Sequence, residues 1–532
     1  MVSHINHENL PPANDPSFGP LIASMHSCSA FDHPVQYIKL IETHISWILL
    51  TGEFAYKIKK PVNFGFLDFS TLDKRRFYCA EELRLNRRFA PQIYLDVVEI
   101  RGSETAPQIN GAGEVIEYAV KMREFSQQCL LSHYAAKRKL SPEITDAIAD
   151  RISQFHQSNA RATASSDFGG ALEAAHWSDE NLVHIAQAIP AAYLPNSYFE
   201  LKRWYRENDC LLEQIDRRKA AGFVRECHGD LHLGNMAIID AVVTLFDCIE
   251  FNPELRWIDT VSEVAFVAMD LHARGYPGYC WRFLNRYFES SGDYAGIALL
   301  RYYFVYRALV RAKVEALRVD QEARDDDSYI ARIAPALEYI ELAGRWAASH
   351  RAGLILMHGL SGSGKSTVAA QLVEKIGAIR IRSDLERKRL YDLTATDASG
   401  STLDQGIYTR EATAATYARL LELAAAIIAA DFTVIVDATL LQESQRRSLL
   451  ALESVPPNRR MIIDCQAPTA ELRRRIVARE NDASEATLEV LQRQLQTRQP
   501  ISRQERESAV VVSVDSAGLD NAKIEDIREM LG

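Results

Sequence analysis

The sequence of 532 residues lacks any uninterrupted apolar run approaching the 18 or more residues of a membrane-spanning helix; runs such as 264–269 and 424–430 fall far short. No membrane partner is therefore expected. The opening residues, MVSHINHENLPPANDPSFG, lack a basic start followed by an apolar core, so neither a secretory nor a mitochondrial signal is read there, and a cytoplasmic protein is expected. Cysteine is sparse and scattered: eight residues (28, 79, 129, 210, 227, 248, 280 and 465) with no C-x-x-C pair exclude a zinc ribbon or a disulfide framework. An excess of positive charge is also missing. The net charge of −10 argues against a broad nucleic-acid footprint, and 47% apolar with 25% charged residues excludes disorder as the main theme.

Residues 351–532 hold 24 Lys and Arg against 25 Asp and Glu, and 20 of those 24 cations are Arg. Arg presents a planar fork that matches phosphate oxygens, so this bias hints at phosphate handling. The preceding residues carry most of the net negative charge.

The pattern of apolar residues predicts two domains. Residues 1–35 mix Pro, Asn, His and Ser without an apolar period and read as a loose arm that lies on the domain after it. Between 45 and 100, short apolar runs (47–50, 54–58, 94–100) flank a helical segment at 74–89, and a further strand at 115–122 leads into helices from 140 to 221. Two β-rich runs, 236–239 and 242–246, join at Asp240-Ala241, after which helices resume to about 350. There the helical pattern stops. Beyond it, strands at 354–357, 379–381, 433–436, 461–464 and 510–514 alternate with helices, the signature of a parallel α/β sheet. The expected division is an arm at 1–35, a first domain at 36–349 and a second at 350–532.

In the second domain, Gly359-Leu360-Ser361-Gly362-Ser363-Gly364-Lys365-Ser366 matches G-x-x-x-x-G-K-[ST], after a strand and before a helix that opens at Thr367. The glycines let backbone N–H groups curl around a phosphate, Lys365 reaches the β- and γ-phosphates, and Ser366 holds Mg2+. Asp384, at the end of the second strand, is placed to accept the proton of an attacking hydroxyl, with Arg387 one turn on; a simple helix cap is the alternative reading of Asp384. Asp437, closing the next strand, suits a Mg2+ site or a cap. Arg475 and Arg479 lie four apart on one helix face, either to close on the transferring phosphate or as a solvated surface.

In the first domain, His228-Gly229-Asp230-Leu231-His232-Leu233-Gly234-Asn235 has H-x-D followed five residues later by Asn, the spacing of a kinase catalytic loop. Asp230 would accept the acceptor's proton and Asn235 would ligate Mg2+, while Asp247, twelve residues on past a hairpin, supplies the second metal carboxylate. Lys57 on the second strand is placed for the α- and β-phosphates, with Lys59 and Lys60 as rivals; Lys57 and Lys59 share a face, so spacing does not choose between them. Glu82 or Glu81 is the partner acid, and Met122 falls where a hinge would meet adenine.

These motifs carry a resemblance. Residues 351–532 resemble the P-loop small-molecule kinases, similar to gluconate kinase, polynucleotide kinase and zeta-toxin domains. The stretch 228–235 with Asp247 resembles the aminoglycoside phosphotransferase family, which has the protein-kinase-like fold; it departs from protein kinases in having no G-x-G-x-x-G before Lys57, only Thr51-Gly52-Glu53. AYKIKKPV, CHGDLHLGN and GLSGSGKST in that order look like the bacterial bifunctional proteins that fuse an aminoglycoside phosphotransferase-like domain to a P-loop domain. The resemblance implies an N-terminal α+β bilobal kinase-like fold and a C-terminal α/β P-loop fold with a parallel sheet and flanking helices. It implies ATP and Mg2+ as cofactors and small-molecule hydroxyls as acceptors. A P-loop kinase regulated by an inactive kinase-like domain is the second reading. A nucleic-acid end kinase is a third, opposed by the near-neutral charge of the C-terminal half.

Overall fold

The computed structural model describes residues 19–65, 67–163, 165–319, 327–348, 351–395, 397, 399–400, 405–478, 484–515 and 518–531. By compactness the chain divides into two units that each gather separate stretches: 1–141, 158–174 and 215–270 in the first, and 142–157, 175–214 and 271–532 in the second.

The first unit is built on a six-stranded antiparallel sheet of β1 (Lys39–Glu42), β2 (Ser46–Leu50), β3 (Phe54–Lys59), β4 (Tyr94–Ser103), β5 (Ala106–Ile109) and β6 (Val115–Arg123), in the order β1-β2-β3-β6-β4-β5. The helix Leu72–Asn86, capped by Thr71 accepting the N–H of Lys74, packs on β6 and β4. The strands expected at 47–50, 54–58, 94–100 and 115–122 are present; β1 and β5, four residues each, carry too little pattern to be read. Residues 19–31 open with a short helix, Gly19–Ser24, and their Ile22, Met25, Ala30 and Phe31 are buried in the sheet's core with Leu40, Leu49, Tyr56 and Val98. Burying each such side chain contributes about 1.5–3 kcal/mol, which outweighs the polar composition around them.

The same unit holds β7 (Val224–Glu226) paired with β10 (Trp257–Asp259), and the hairpin of β8 (Met236–Ile239) and β9 (Val242–Leu245). The hairpin turns at Asp240 and Ala241, both left-handed at φ 49° and 63°, the geometry that matches the twist of its strands.

The second unit contains a five-stranded parallel sheet of β11 (Leu354–His358), β12 (Ile379–Arg382), β13 (Val434–Asp437), β14 (Arg460–Cys465) and β15 (Val510–Val514), in the order β12-β13-β11-β14-β15. Helices flank it, and its core gathers Ile355, Met357, Val368, Ile435 and Ile463. All five expected strands are present. Helices from upstream in the chain belong to this unit too, among them Pro277–Ser291, which lies on the edge strand β12. Among the described residues one helix, Arg410–Ala429, is long and apolar enough to cross a membrane; it packs on β12 and β13 with Leu420, Leu423, Ala424 and Ile427 buried.

Candidate functional site

Each unit carries its own constellation. In the first, period-two alternation on β3 sends Lys57 and Lys59 to one face, toward the helix Leu72–Asn86, whose Glu82 is fully buried. Glu82 bridges the two lysines, with Oε1 2.8 Å from Lys57 Nζ and Oε2 2.8 Å from Lys59 Nζ. The lysines then diverge. Lys57 donates to Asp247 Oδ1 at 2.5 Å, whereas Lys59 pairs with Glu250. Lys60 lies apart, paired with Glu42, and Glu81 pairs with Arg84 on the outer side of the helix. The structure thus brings Lys57, Glu82 and Asp247 together and separates Lys60 and Glu81 from them. Burial alone would lower the Lys57 ammonium, but Asp247 and Glu82 outweigh it and hold its pKa well above the ordinary value. Burial likewise works against the Glu82 carboxylate, and Lys57 and Lys59 overcome it and keep it low.

The segment 228–235 is fixed from beneath. The backbone N–H groups of His228 and Gly229 both donate to Glu263 Oε1 at 2.8 Å, and that of Leu233 donates to Asp270 Oδ2 at 2.9 Å. Gly229 has φ 88°, and a Cβ there would stand 2.7 Å from the Leu255 carbonyl oxygen, so glycine is required. His228 Nε2 donates to the Phe246 carbonyl at 2.7 Å, which leaves Nδ1 as the acceptor for the Asp230 N–H. Burial lowers the His228 pKa and favours this neutral ring. His228 therefore ties the 228–235 loop to the end of β9, just before Asp247.

Asn235 Nδ2 donates to the Asp230 carbonyl at 2.8 Å and lies 3.2 Å from its Oδ2. Its Oδ1 is buried with no hydrogen bond among the described residues. Asp247 adopts a left-handed backbone at φ 64°, and its N–H donates to Tyr94 Oη at 3.0 Å. An orphaned amide oxygen beside two carboxylates is a hard-oxygen donor set that fits Mg2+. Met122 is half-buried on β6, opposite Ala55. The turn between β1 and β2 has no glycine and closes on itself, Thr43 Oγ1 accepting the N–H of Ser46 at 2.9 Å. Thr51-Gly52-Glu53 instead forms the β2–β3 turn, where the Thr51 and Gly52 N–H groups donate to Glu124 Oε2 at 3.0 and 2.8 Å.

In the second unit the loop 359–366 runs from β11 into the helix Lys365–Leu372, at the carboxyl ends of the parallel strands. Gly359 has φ 140°, and a Cβ there would stand 2.4 Å from the Cys465 carbonyl oxygen, on the neighbouring strand β14. Gly359→Ala is expected to destabilise the second unit by about 1–3 kcal/mol, read as an earlier urea transition of the full chain. Lys365 Nζ folds back onto the Leu360 carbonyl at 2.8 Å, and Ser363 Oγ is buried without a hydrogen bond among the described residues. Leu360 is buried against Leu441, Leu472 and Ile476. Gln494, which no sequence signal singled out, grips Ser361, accepting its N–H at 2.9 Å and donating to its Oγ at 3.0 Å.

A cavity of about 560 Å3 opens beside this loop, lined by Ser361, Lys365, Ser366, Asp384, Arg387 and Asp437 among others. Thr367 follows in the helix with its side chain exposed. The N-cap of the helix Ser383–Arg389 is Arg382, and the Asp384 carboxylate takes no hydrogen bond among the described residues. Arg387 is buried, donating to the Ile407 carbonyl at 2.8 Å, its guanidinium 5.2 Å from the Tyr408 ring centre. Strand register sets Arg382 opposite Asp437. Asp437 Oδ2 is nevertheless buried without a hydrogen bond among the described residues, 3.8 Å from Arg382 Nε; with the Ser366 hydroxyl it forms a donor set that also suits Mg2+. Arg475 reaches the Gly362 carbonyl at 3.3 Å and pairs with Glu471 at 2.7 Å. Arg479 lies outside the described residues.

A family model described as an AAA domain matches residues 354–501. Over 471 residues, 87% of this chain and 91% of the relative, the sequence is 30% identical to the uncharacterized protein Rv2004c of Mycobacterium tuberculosis. Among solved structures, a sugar kinase from Janibacter aligns with 34% of this chain and 91% of its own at 21% identity and a TM-score of 0.26. A choline/ethanolamine kinase family protein from Mesorhizobium loti aligns with 59% of this chain and 92% of its own at 14% identity and a TM-score of 0.36.

Proposed function

The chain belongs to the family of bacterial two-domain proteins in which an aminoglycoside phosphotransferase-like domain is fused to a P-loop ATP-binding domain, and from that premise we propose that it is an ATP- and Mg2+-dependent tandem phosphotransferase. Each half would move the γ-phosphoryl group of ATP to a hydroxyl of a small molecule. The observation that carries this reading is the convergence of Lys57, Glu82 and Asp247, with Asp230 and Asn235, from stretches as far apart as 190 residues.

In the first half, Asp230 takes the proton of the acceptor hydroxyl as its oxygen attacks the γ-phosphorus and the bond to the ADP oxygen breaks. Lys57, oriented by Glu82, holds the α- and β-phosphates, and Asn235 and Asp247 hold the metal. A Mg2+ held by those two residues would supply positive charge that offsets the charge of the phosphates. In the second half, Lys365 and the loop amides hold the phosphates, Ser366 and Asp437 hold the metal, Asp384 is the base, and Arg387 and Arg475 face the transferring group. Arg479 is carried as a further candidate from the sequence alone.

The self-closed turn at Thr43 favours a second reading, in which the first half binds nucleotide and regulates the other without catalysis. One experiment separates the two. Wild type, Asp230→Ala and Asp384→Ala are incubated with γ-labelled ATP, Mg2+ and a pooled metabolite extract. Loss of a different labelled product in each variant is the expected outcome for two kinases; an Asp230→Ala enzyme with an unchanged product profile overturns the first half's catalytic role.

A further inference from the structure

Another cavity of the second unit, of about 450 Å3, lies at the opposite end of the parallel sheet from the P-loop. It is framed by residues that stand just before the strands: Arg351 ahead of β11, Gly377 ahead of β12, Thr433 ahead of β13 and Arg459 ahead of β14. The loop 359–366 leaves β11 at its other end, so the five residues of that strand put roughly 15 Å between cavity and loop. The helix Pro277–Ser291 supplies Trp281 to the cavity and is fastened to the sheet edge by Asn285. The Asn285 Nδ2 donates to the Ala378 carbonyl at 2.8 Å and its Oδ1 accepts the Arg380 N–H at 2.6 Å. Trp281 stacks on Trp346 with ring centres 5.5 Å apart and meets Phe432 edge-on at 6.0 Å, which gives the cavity an aromatic wall.

The rest of the lining is cationic. Arg301, Arg345, Arg351, Arg459 and Arg528 face one carboxylate, Asp431, among the described residues. Arg528 has Glu525 3.7 Å away on its own helix, whereas the other four form no ion pair among the described residues. Backbone carbonyls hold two of them. Arg301 donates to the carbonyls of Trp346 at 2.6 Å and Asp431 at 3.1 Å, and Arg459 Nε donates to that of Ala352 at 3.1 Å. A carbonyl satisfies a donor without cancelling its charge. Burial accordingly holds both guanidiniums below their ordinary pKa, Arg351 adds to this at Arg459, and the attraction of Asp431 does not offset it. Burial and Arg345 likewise lower the His272 pKa, so that ring adds no charge of its own near neutrality. Arg345 and Arg351 are exposed and reach the cavity from its solvent side.

We propose that this cavity is a binding site, separate from the nucleotide site, for a small phosphorylated compound. The guanidinium forks take the phosphate oxygens, and the wall of Trp281, Trp346 and Phe432 takes the organic part. A phosphoryl group brings nearly two negative charges and three acceptor oxygens, which matches several uncompensated arginines better than a single carboxylate does. The volume falls within the range of small-molecule sites. None of the residues assigned to phosphoryl transfer lines this cavity, so the inference stands whichever half is catalytic.

The test is calorimetric titration of the full chain with inorganic phosphate and with phenyl phosphate at constant ionic strength. Wild type is expected to show a saturable component, tighter for phenyl phosphate than for inorganic phosphate, that persists in Lys365→Ala. The double variant Arg345→Gln with Arg351→Gln should weaken that component about tenfold or more, the effect of losing one charge-assisted hydrogen bond. The melting temperature of wild type should rise with phenyl phosphate, as binding to the folded state requires, and rise less in the double variant. Arg503→Gln, whose side chain is 94% exposed and does not line the cavity, should bind as wild type does. No saturable component, its loss in Lys365→Ala, an unchanged affinity in the arginine double variant, or an equal loss in Arg503→Gln overturns the proposal. Phenyl phosphate binding no tighter than inorganic phosphate overturns the role of the aromatic wall. If the double variant does not fold, Arg345→Gln and Arg351→Gln singly decide by the same criterion.

Discussion

Asp230→Asn is expected to slow transfer by the N-terminal half by about 100- to 10,000-fold, the range associated with losing a positioned general base. The substitution keeps an oxygen beside Asn235, whose stronger bond in the structure is to the Asp230 backbone carbonyl at 2.8 Å, so the 228–235 loop should hold its shape. Its anchors, Glu263 and Asp270, do not involve the Asp230 side chain. The KM for ATP should therefore stay near the wild-type value while kcat falls, the signature of an interaction made in the transition state and not in the ground state. Initial rates of formation of the N-terminal product, measured against ATP concentration, check this. An unchanged kcat would mean that Asp230 does not accept the proton, and a proportional rise in KM would assign it to binding.

The parts of this site that were legible in the sequence are those set by local spacing. His228, Asp230 and Asn235 sit on one loop, so their separation along the chain is their separation in space, and the Asp240-Ala241 turn was visible because it joins two β-rich runs. The P-loop is legible for the same reason. The choice between Lys57 and Lys59 was not, because alternate residues of a strand share a face and both lysines reach Glu82; what distinguishes them is Asp247 against Glu250, about 190 residues away. Glu81 and Glu82 are adjacent in sequence, but a helix turns about 100° per residue, which sends one to the surface and the other under β3. The anchors Glu263, Asp270 and Gln494 carried no local signal, since each acts on the backbone or side chain of a distant loop.

The helix Pro277–Ser291 shows an intermediate case. Trp281, Asn285 and Glu289 recur every four residues, a spacing that marks one face, yet polar residues on a face read as solvated until the surface opposite is known. Here that surface is the edge of a parallel sheet, with open N–H and C=O groups that an amide can satisfy. At 19–31 the apolar residues are few and follow no long period, yet several of them are buried against the sheet.

Lys59→Met is expected to be the most destabilising single change in the first unit, by about 3–5 kcal/mol, because it breaks a fully buried ion network by removing one partner. Lys59 and Glu82 have 0% side-chain exposure and Glu250 has 4%, so water cannot take over the lost interaction. Glu82 keeps Lys57, whereas Glu250 loses its ion pair with Lys59 and is left with the weaker attraction of Lys57. Burial already pushes the Glu250 carboxyl above its ordinary pKa despite Lys59; without that lysine it must rise further. The sign of the pH dependence follows. An acid whose folded pKa exceeds its unfolded value penalises the folded state as pH rises from the unfolded value through the folded one, so the deficit of Lys59→Met should shrink as the pH is lowered from neutrality toward the unfolded carboxylate range. Urea unfolding of wild type and variant at several pH values checks both size and sign, and the double variant Lys59→Met with Glu250→Gln should recover much of the loss at neutral pH. Lys57→Met makes the informative contrast: Asp247 and Glu82 are the groups it leaves, Glu82 retains Lys59, and the larger consequence is expected in nucleotide turnover and not in the urea midpoint. Two lysines on one strand face, sharing one glutamate, would then be separated experimentally into one that holds the fold and one that serves the phosphates.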